Sequence, residues 1–239
     1  MPVFRSIVFS AALAGLIVGI VISIAQFFGT VPLIQQSEVY ERKAAAAPPA
    51  AHSHAVAAKD QDNTPAHENE WEPEEGFQRN AFTIGANILT AIGFALLLTG
   101  TYAIRGRQVT WREGLLWGLA GFVVFTAAPG LGLPPELPGM PVADLTARQT
   151  WWIASAAATA GGLCLLVLRS AAWSAVLGLA LIALPHLIGA PLAPESHSAV
   201  PAALSHRFIV VVTITSLLFW ALLGVATSVV FERISRPQS

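Results

Sequence analysis

APGLGLPPELPGMPVADLTARQTWW, residues 128–152, holds five of the chain's sixteen prolines and joins two long stretches without a charge. A proline-dense segment between two apolar runs reads as a turn that caps a helix pair, here an outward-facing cap on a membrane bundle. The flanking windows decide the class. Asp, Glu, Lys and Arg are absent from 6–37, 80–104, 114–135, 149–168, 170–194 and 208–231. Crossing the hydrocarbon layer takes about 20 apolar residues in a helix that bonds its own backbone, and windows of this length supply that. Hydrophobic residues make up 54% of the chain and charged ones 11%, against roughly 25% charged in a soluble domain. The chain reads as an all-α, polytopic membrane helix bundle.

Six spans are expected, with five as the alternative because the fifth is short. Residues 1–29 hold the first, whose apolar run Ile7 to Phe28 outlasts a signal-peptide core of roughly 7–15 residues and so predicts a retained helix. Its Ala11, Gly15, Gly19 and Ser23 form an i, i+4 stripe that lets another helix approach closely. Residues 30–80 read as an outer, acidic, histidine-containing loop, broken from the first span at Pro32 and partly disordered over the Ala/Pro/His tract 44–67. Residues 81–239 hold the other spans, from about Phe82, Trp111, Trp151, Ala172 and Phe208, with outer proline-rich loops at 129–150 and 189–206.

Arginine placement orients the bundle. Arg5, the three arginines of 105–112, Arg169, Arg233 and Arg236 fall on one side of a six-span chain, and short positive loops stay cytoplasmic, so both termini are expected inside. All six histidines then lie on the outer side: His52, His54 and His67 in the first loop, His186 at the end of span five, His197 and His206 in the last loop. Imidazole beside carboxylate suits first-row divalent cations, so these histidines, with Glu136 and Asp144, are the candidate metal ligands. No charged residue lies at depth. Gln26 and Asn87 are the polar side chains expected near the outer ends of their spans, and with His186 they are expected to converge on a vestibule that receives metal from the loops.

Trp111 precedes Ala128-Pro129 by 17 and 18 residues, and Trp173 precedes Ala190-Pro191 by the same intervals, which suggests a parallel repeat of two helical hairpins. Cys164 is the single cysteine, so no disulfide forms within the chain. A net charge of -1 without a basic run speaks against nucleic acid. No catalytic or phosphate-binding motif sits in a supporting context, so neither an enzyme nor a bound cofactor is expected.

Several blocks together carry a family resemblance: GLLWGLAGF at 114–122, APGLGLPPELPGMP at 128–141, ADL at 143–145, ARQ at 147–149, Trp151-Trp152, LPHLIGAP at 184–191 and WEPEEG at 71–76. The chain resembles the CbtA family of cobalt transporter subunits over nearly its whole length. The resemblance implies uptake of cobalt, with nickel or zinc as chemical neighbours, across the bacterial cytoplasmic membrane in support of cobalamin synthesis. It also implies a partner, a small single-span protein with a histidine-rich tail (CbtB-like), and five spans rather than six. It supplies no ligand set. Two functions stay open: a subunit that conducts a divalent metal, or a non-conducting scaffold or metal-delivery accessory for another permease.

Overall fold

The stripe on the first span meets its partner in the structure, a computed structural model that describes residues 2–46, 73–74, 76–169, 171–194 and 198–235. Helix α1 (Pro2–Phe28) packs on α3 (Phe77–Arg105) along that stripe. A Cβ added at Gly15 would stand 2.6 Å from the backbone nitrogen of Ile92, and one at Gly19 would stand 2.6 Å from Ile88 Cα. Lipid tails solvate a leucine as well as another helix does, so contact between spans depends on close packing of this kind.

The same device joins α4 (Trp111–Phe122) to α8 (Ala202–Ser235). Gly114 faces Ser228 and Gly118 faces Gly224, while Gly121 leaves room for the Trp220 ring, whose atom Cζ3 a Cβ there would meet at 2.2 Å. Helices α1, α3 and α8 share a core of Ala11, Val18, Ile22, Ala91, Ala95, Leu98, Trp220 and Leu223. A third pair, α6 (Leu145–Leu168) and α7 (Ala172–Ile188), closes on Gly162 and Gly178. It touches the rest through α5 (Ala128–Gly132) and the five-residue π-helical turn Val123–Ala127 that joins α4 to α5. Pro129 explains that turn. Its ring would clash with the carbonyl four residues back, and a wider turn, with Ala128 N–H reaching Val123 O, makes space.

Among the described residues five helices are long and apolar enough to cross a membrane: Val3–Phe28, Phe77–Arg105, Trp111–Gly132, Leu145–Leu168 and Ala202–Ser235. The shorter apolar helix α7 is not among them. Its 17 residues rise roughly 26 Å, a little less than the hydrocarbon layer, and its Pro185 end lies level with Trp151 near the start of α6. The helices of spanning length thus number five, the alternative to the expected six. The described start of α1 and end of α8 meet at one end of the bundle, where Val3, Ser6, Arg107, Glu232 and Ser235 line one cavity.

Three expectations change. Pro32 does not open a loop: it is the second residue of a new helix, α2 (Val31–Ala46), where its missing N–H is not needed. The N-terminal boundaries of three spans move outward, to Phe77, Leu145 and Ala202. For α6 the cause is Asp144, which caps the helix by accepting from Ala147 N at 2.9 Å. The hairpin repeat is absent, because α3 packs chiefly on α1 and α4 on α8, whereas α6 and α7 pack on each other. Ala128-Pro129 also lies inside a helical path that runs to Gly132, while Ala190-Pro191 lies beyond the end of α7.

The proline-rich stretch is a cap with a core of its own. Leu137 and Met140 pack with Leu33 and Ile34 of α2, Val200, and Leu204 and Phe208 of α8. Gly139, at φ 79, brings the turn against α2, where an added Cβ would meet Glu41 Cβ at 3.0 Å.

Candidate functional site

Two polar residues on facing helices meet at the end of the α1/α3 seam that adjoins α2. The Asn87 side-chain amide donates to Gln26 Oε1 at 2.7 Å and to Ser23 Oγ at 3.1 Å. Ser23 in turn donates to Gly19 O at 2.8 Å, so the hydroxyl is fixed on its own helix. The packing stripe makes this possible: two glycines bring the backbones together and the short polar side chains reach across.

Gln26 opens onto a cavity of about 610 Å³ bounded by α1, α2, α3 and α8, whose polar wall includes Thr30, Gln35, Glu38, Arg79, Thr83 and Ser216. Glu38, with a side chain only 18% exposed, accepts from Arg79 Nη2 at 2.5 Å and lies 3.7 Å from Arg42. The ion pair ties α2 to the start of α3 and so holds one wall of the cavity. Sequence reading missed α2 and this pair. The signal was there in Glu38 and Arg42, one helical turn apart, following a proline placed where helices tolerate it.

A second cavity, of about 590 Å³, opens at the opposite end on the same three long helices, lined by Val3 and Ser6 of α1, Tyr102 of α3 and Phe231 of α8. Tyr102, fully buried, pairs its hydroxyl with Thr227 Oγ1 at 3.3 Å. Between the two cavities the seam is filled mainly by Ala11, Val18, Ile22, Ala91, Ala95, Leu98 and Leu223, with the buried hydroxyls of Ser10 and Thr99 beside them.

The expected ligands do not gather. His186 is half-buried with its ring edge-on to Trp151, centroids 5.8 Å apart, and it lines neither the Gln26 cavity nor its opposite number. His206 is exposed within α8, not in a loop. His52, His54, His67 and His197 lie outside the described residues. Glu136 Oε2 is 2.8 Å from Arg148 Nη2, an ion pair without hydrogen-bond alignment, and Asp144 is occupied as the α6 cap. Among the described residues no group of three His, Cys, Asp or Glu stands close enough to hold a metal ion. Of the three residues expected to converge, Gln26 lines the cavity, Asn87 bonds to Gln26 without lining it, and His186 stands apart from both.

Comparison with curated proteins and with solved structures gives no match. A family model does match, over residues 4–232, and its span takes in α1, the Gln26–Asn87 seam, the proline-rich cap and almost all of α8. With five helices of spanning length beneath that match, this chain belongs to the CbtA family, described as a probable cobalt transporter subunit.

Proposed function

We propose that this chain is the membrane subunit of a bacterial cobalt uptake system, lying in the cytoplasmic membrane with both termini inside, and that the ion moves along the α1/α3/α8 seam. The observation that carries the reading is the pair of cavities, about 610 and 590 Å³, at opposite ends of the same three helices with an apolar plug between them. Two vestibules divided by a dry constriction are what a closed state of an alternating path needs. Gln26 and Asn87 stand at the outer boundary of the plug, where an ion leaving water meets its first neutral oxygen donors. His52, His54, His67 and His197 supply imidazole ahead of them, together with a histidine-rich single-span partner. Nickel and zinc share the ligand chemistry of cobalt, so the loops favour the class of ion more than one member. The subunit carries out no catalysis in this reading.

One observation favours the accessory reading. Among the described residues the plug is lined by no histidine, cysteine or carboxylate, and the windows 6–37, 80–104 and 208–231 of its three helices hold no charged residue. Reconstitution separates the two. Purified protein in liposomes loaded with a cobalt-sensitive chelator is expected to admit cobalt; binding to the outside with no internal signal would make the chain a scaffold or delivery subunit instead.

A further inference from the structure

Hydroxyls on the described spanning helices mostly close on their own backbone: Ser23 on Gly19 O at 2.8 Å, Thr99 on Ala95 O at 2.8 Å, Thr213 on Ile209 O at 2.7 Å and Thr227 on Leu223 O at 2.6 Å. Ser155 and Thr159 do not. Both are fully buried, one turn apart near the middle of the 24-residue α6, and neither hydroxyl has a hydrogen-bond partner among the described residues. Ser10 on α1 shares that state, but it is a single group. A buried hydroxyl left unbonded costs about 1–3 kcal/mol, so two adjacent ones mark a place where something else bonds them.

Both neighbours of α6 are interrupted beside this pair. On one side, Trp151 Nε1 donates to Pro185 O at 3.3 Å, and an added Cβ at Gly162 would stand 2.6 Å from Gly178 O. Those two points bracket Ser155 and Thr159 against residues 178–185 of α7. Pro185 has no N–H, so the carbonyl of Leu181 four residues back receives no α-helical bond. On the other side, the Trp151 ring lies against Gly132, and Phe125 and Trp152 have ring centroids 6.2 Å apart, which sets the π-turn beside the same stretch of α6. Pro129 has no N–H either, so the Phe125 carbonyl also receives no i→i−4 helical bond.

We propose that this junction binds a dehydrated monovalent cation, sodium, through Ser155 Oγ, Thr159 Oγ1 and the released carbonyls of Leu181 and Phe125. Irregular backbone at membrane depth is stable where it is buried against protein, and carbonyls of broken helices are the groups that coordinate alkali cations there. The charge of the guest follows from the donors. All four are neutral, and the flanking windows 114–135, 149–168 and 170–194 contain no carboxylate. A divalent ion would keep its full charge uncompensated in a low-dielectric site, whereas a single charge is within reach of carbonyl and hydroxyl dipoles. A proton has no carboxylate to ride on in those windows. Coupling of this cation to cobalt movement rests on the uptake reading, but its binding does not.

Thermal unfolding of the purified full chain in detergent, in sodium chloride against choline chloride at equal ionic strength, tests the site without any cobalt. Sodium is expected to raise Tm in a saturable way. Ser155→Ala and Thr159→Val are each expected to raise the half-saturating sodium concentration about tenfold, the loss of one ion-bound oxygen, with Tm in choline unchanged. Equal Tm in the two salts would overturn the proposal, as would a sodium effect that persists undiminished in both variants. Where Thr159→Val does not fold, Ser155→Ala together with binding of radioactive sodium to the wild-type chain decides between the same two outcomes.

Discussion

Asn87 Nδ2 and Gln26 Oε1 lie 2.7 Å apart across the α1/α3 seam, joining residues 61 positions apart in sequence, and Gln26 also lines the cavity of about 610 Å³. Asn87→Ala removes the bridge to both Gln26 and Ser23. Such bonds between membrane helices are worth about 0.6 kcal/mol on average, so the fold is expected to survive. Cobalt accumulation is expected to fall several-fold at equal expression. Radioactive cobalt uptake in cells measures it, and an unchanged level would take the pair out of the path.

Glycines in this bundle divide into those that fill a seam and those that face outward. Gly118→Leu drives a side chain into the Trp220 carbonyl, 2.2 Å from the position of the first added carbon. Overpacking of a backbone seam costs about 1–3 kcal/mol, so a clear drop in melting temperature is expected. Gly93 has nothing within 4 Å of that position, and Gly93→Leu is expected to melt like the wild type. Equal melting temperatures for the two variants would contradict the α4/α8 packing.

Glu136 and Asp144 looked like ligands in the sequence and have other partners in the fold. Glu136→Gln and Asp144→Asn keep shape and remove charge. Cobalt uptake by both is expected to match the wild type, since the first loses only its pair with Arg148 and the second remains a capping residue. Asp144→Ala, which removes the cap, is expected to cost about 1 kcal/mol in thermal unfolding. A large loss of uptake in the charge-neutral pair would return these acids to the metal path.

His186 rests on Trp151, away from the Gln26 cavity. His186→Ala is therefore expected to leave cobalt affinity, read by isothermal titration, at the wild-type value. Combined replacement of His52, His54 and His67 is expected to weaken it, because in the uptake reading those imidazoles meet the ion first. Weakening by His186→Ala alone would reverse this assignment.

Much of the bundle was legible in the sequence because the bilayer imposes a local rule. Each span must satisfy its own backbone and exclude charge, so the six charge-free windows mark apolar helices, five of them of spanning length, and the Ala11/Gly15/Gly19/Ser23 stripe marks a packing face. Asn87 and Gln26 could be placed near the outer ends of their spans by counting. That they bond to each other could not, since the stripe marks which face of α1 is packed but not which helix packs there.

The sequence by itself determined the class, the apolar helices and the proline-rich cap, all set by the transfer of short segments between water and lipid. Only the tertiary structure decided that α3 pairs with α1 and α4 with α8, that Pro32 starts a helix, that Glu136 and Asp144 are engaged, and that His186 stands apart from the vestibule. Those outcomes depend on which faces fit at close range. Steric complementarity between distant segments, unlike hydropathy, has no local signature.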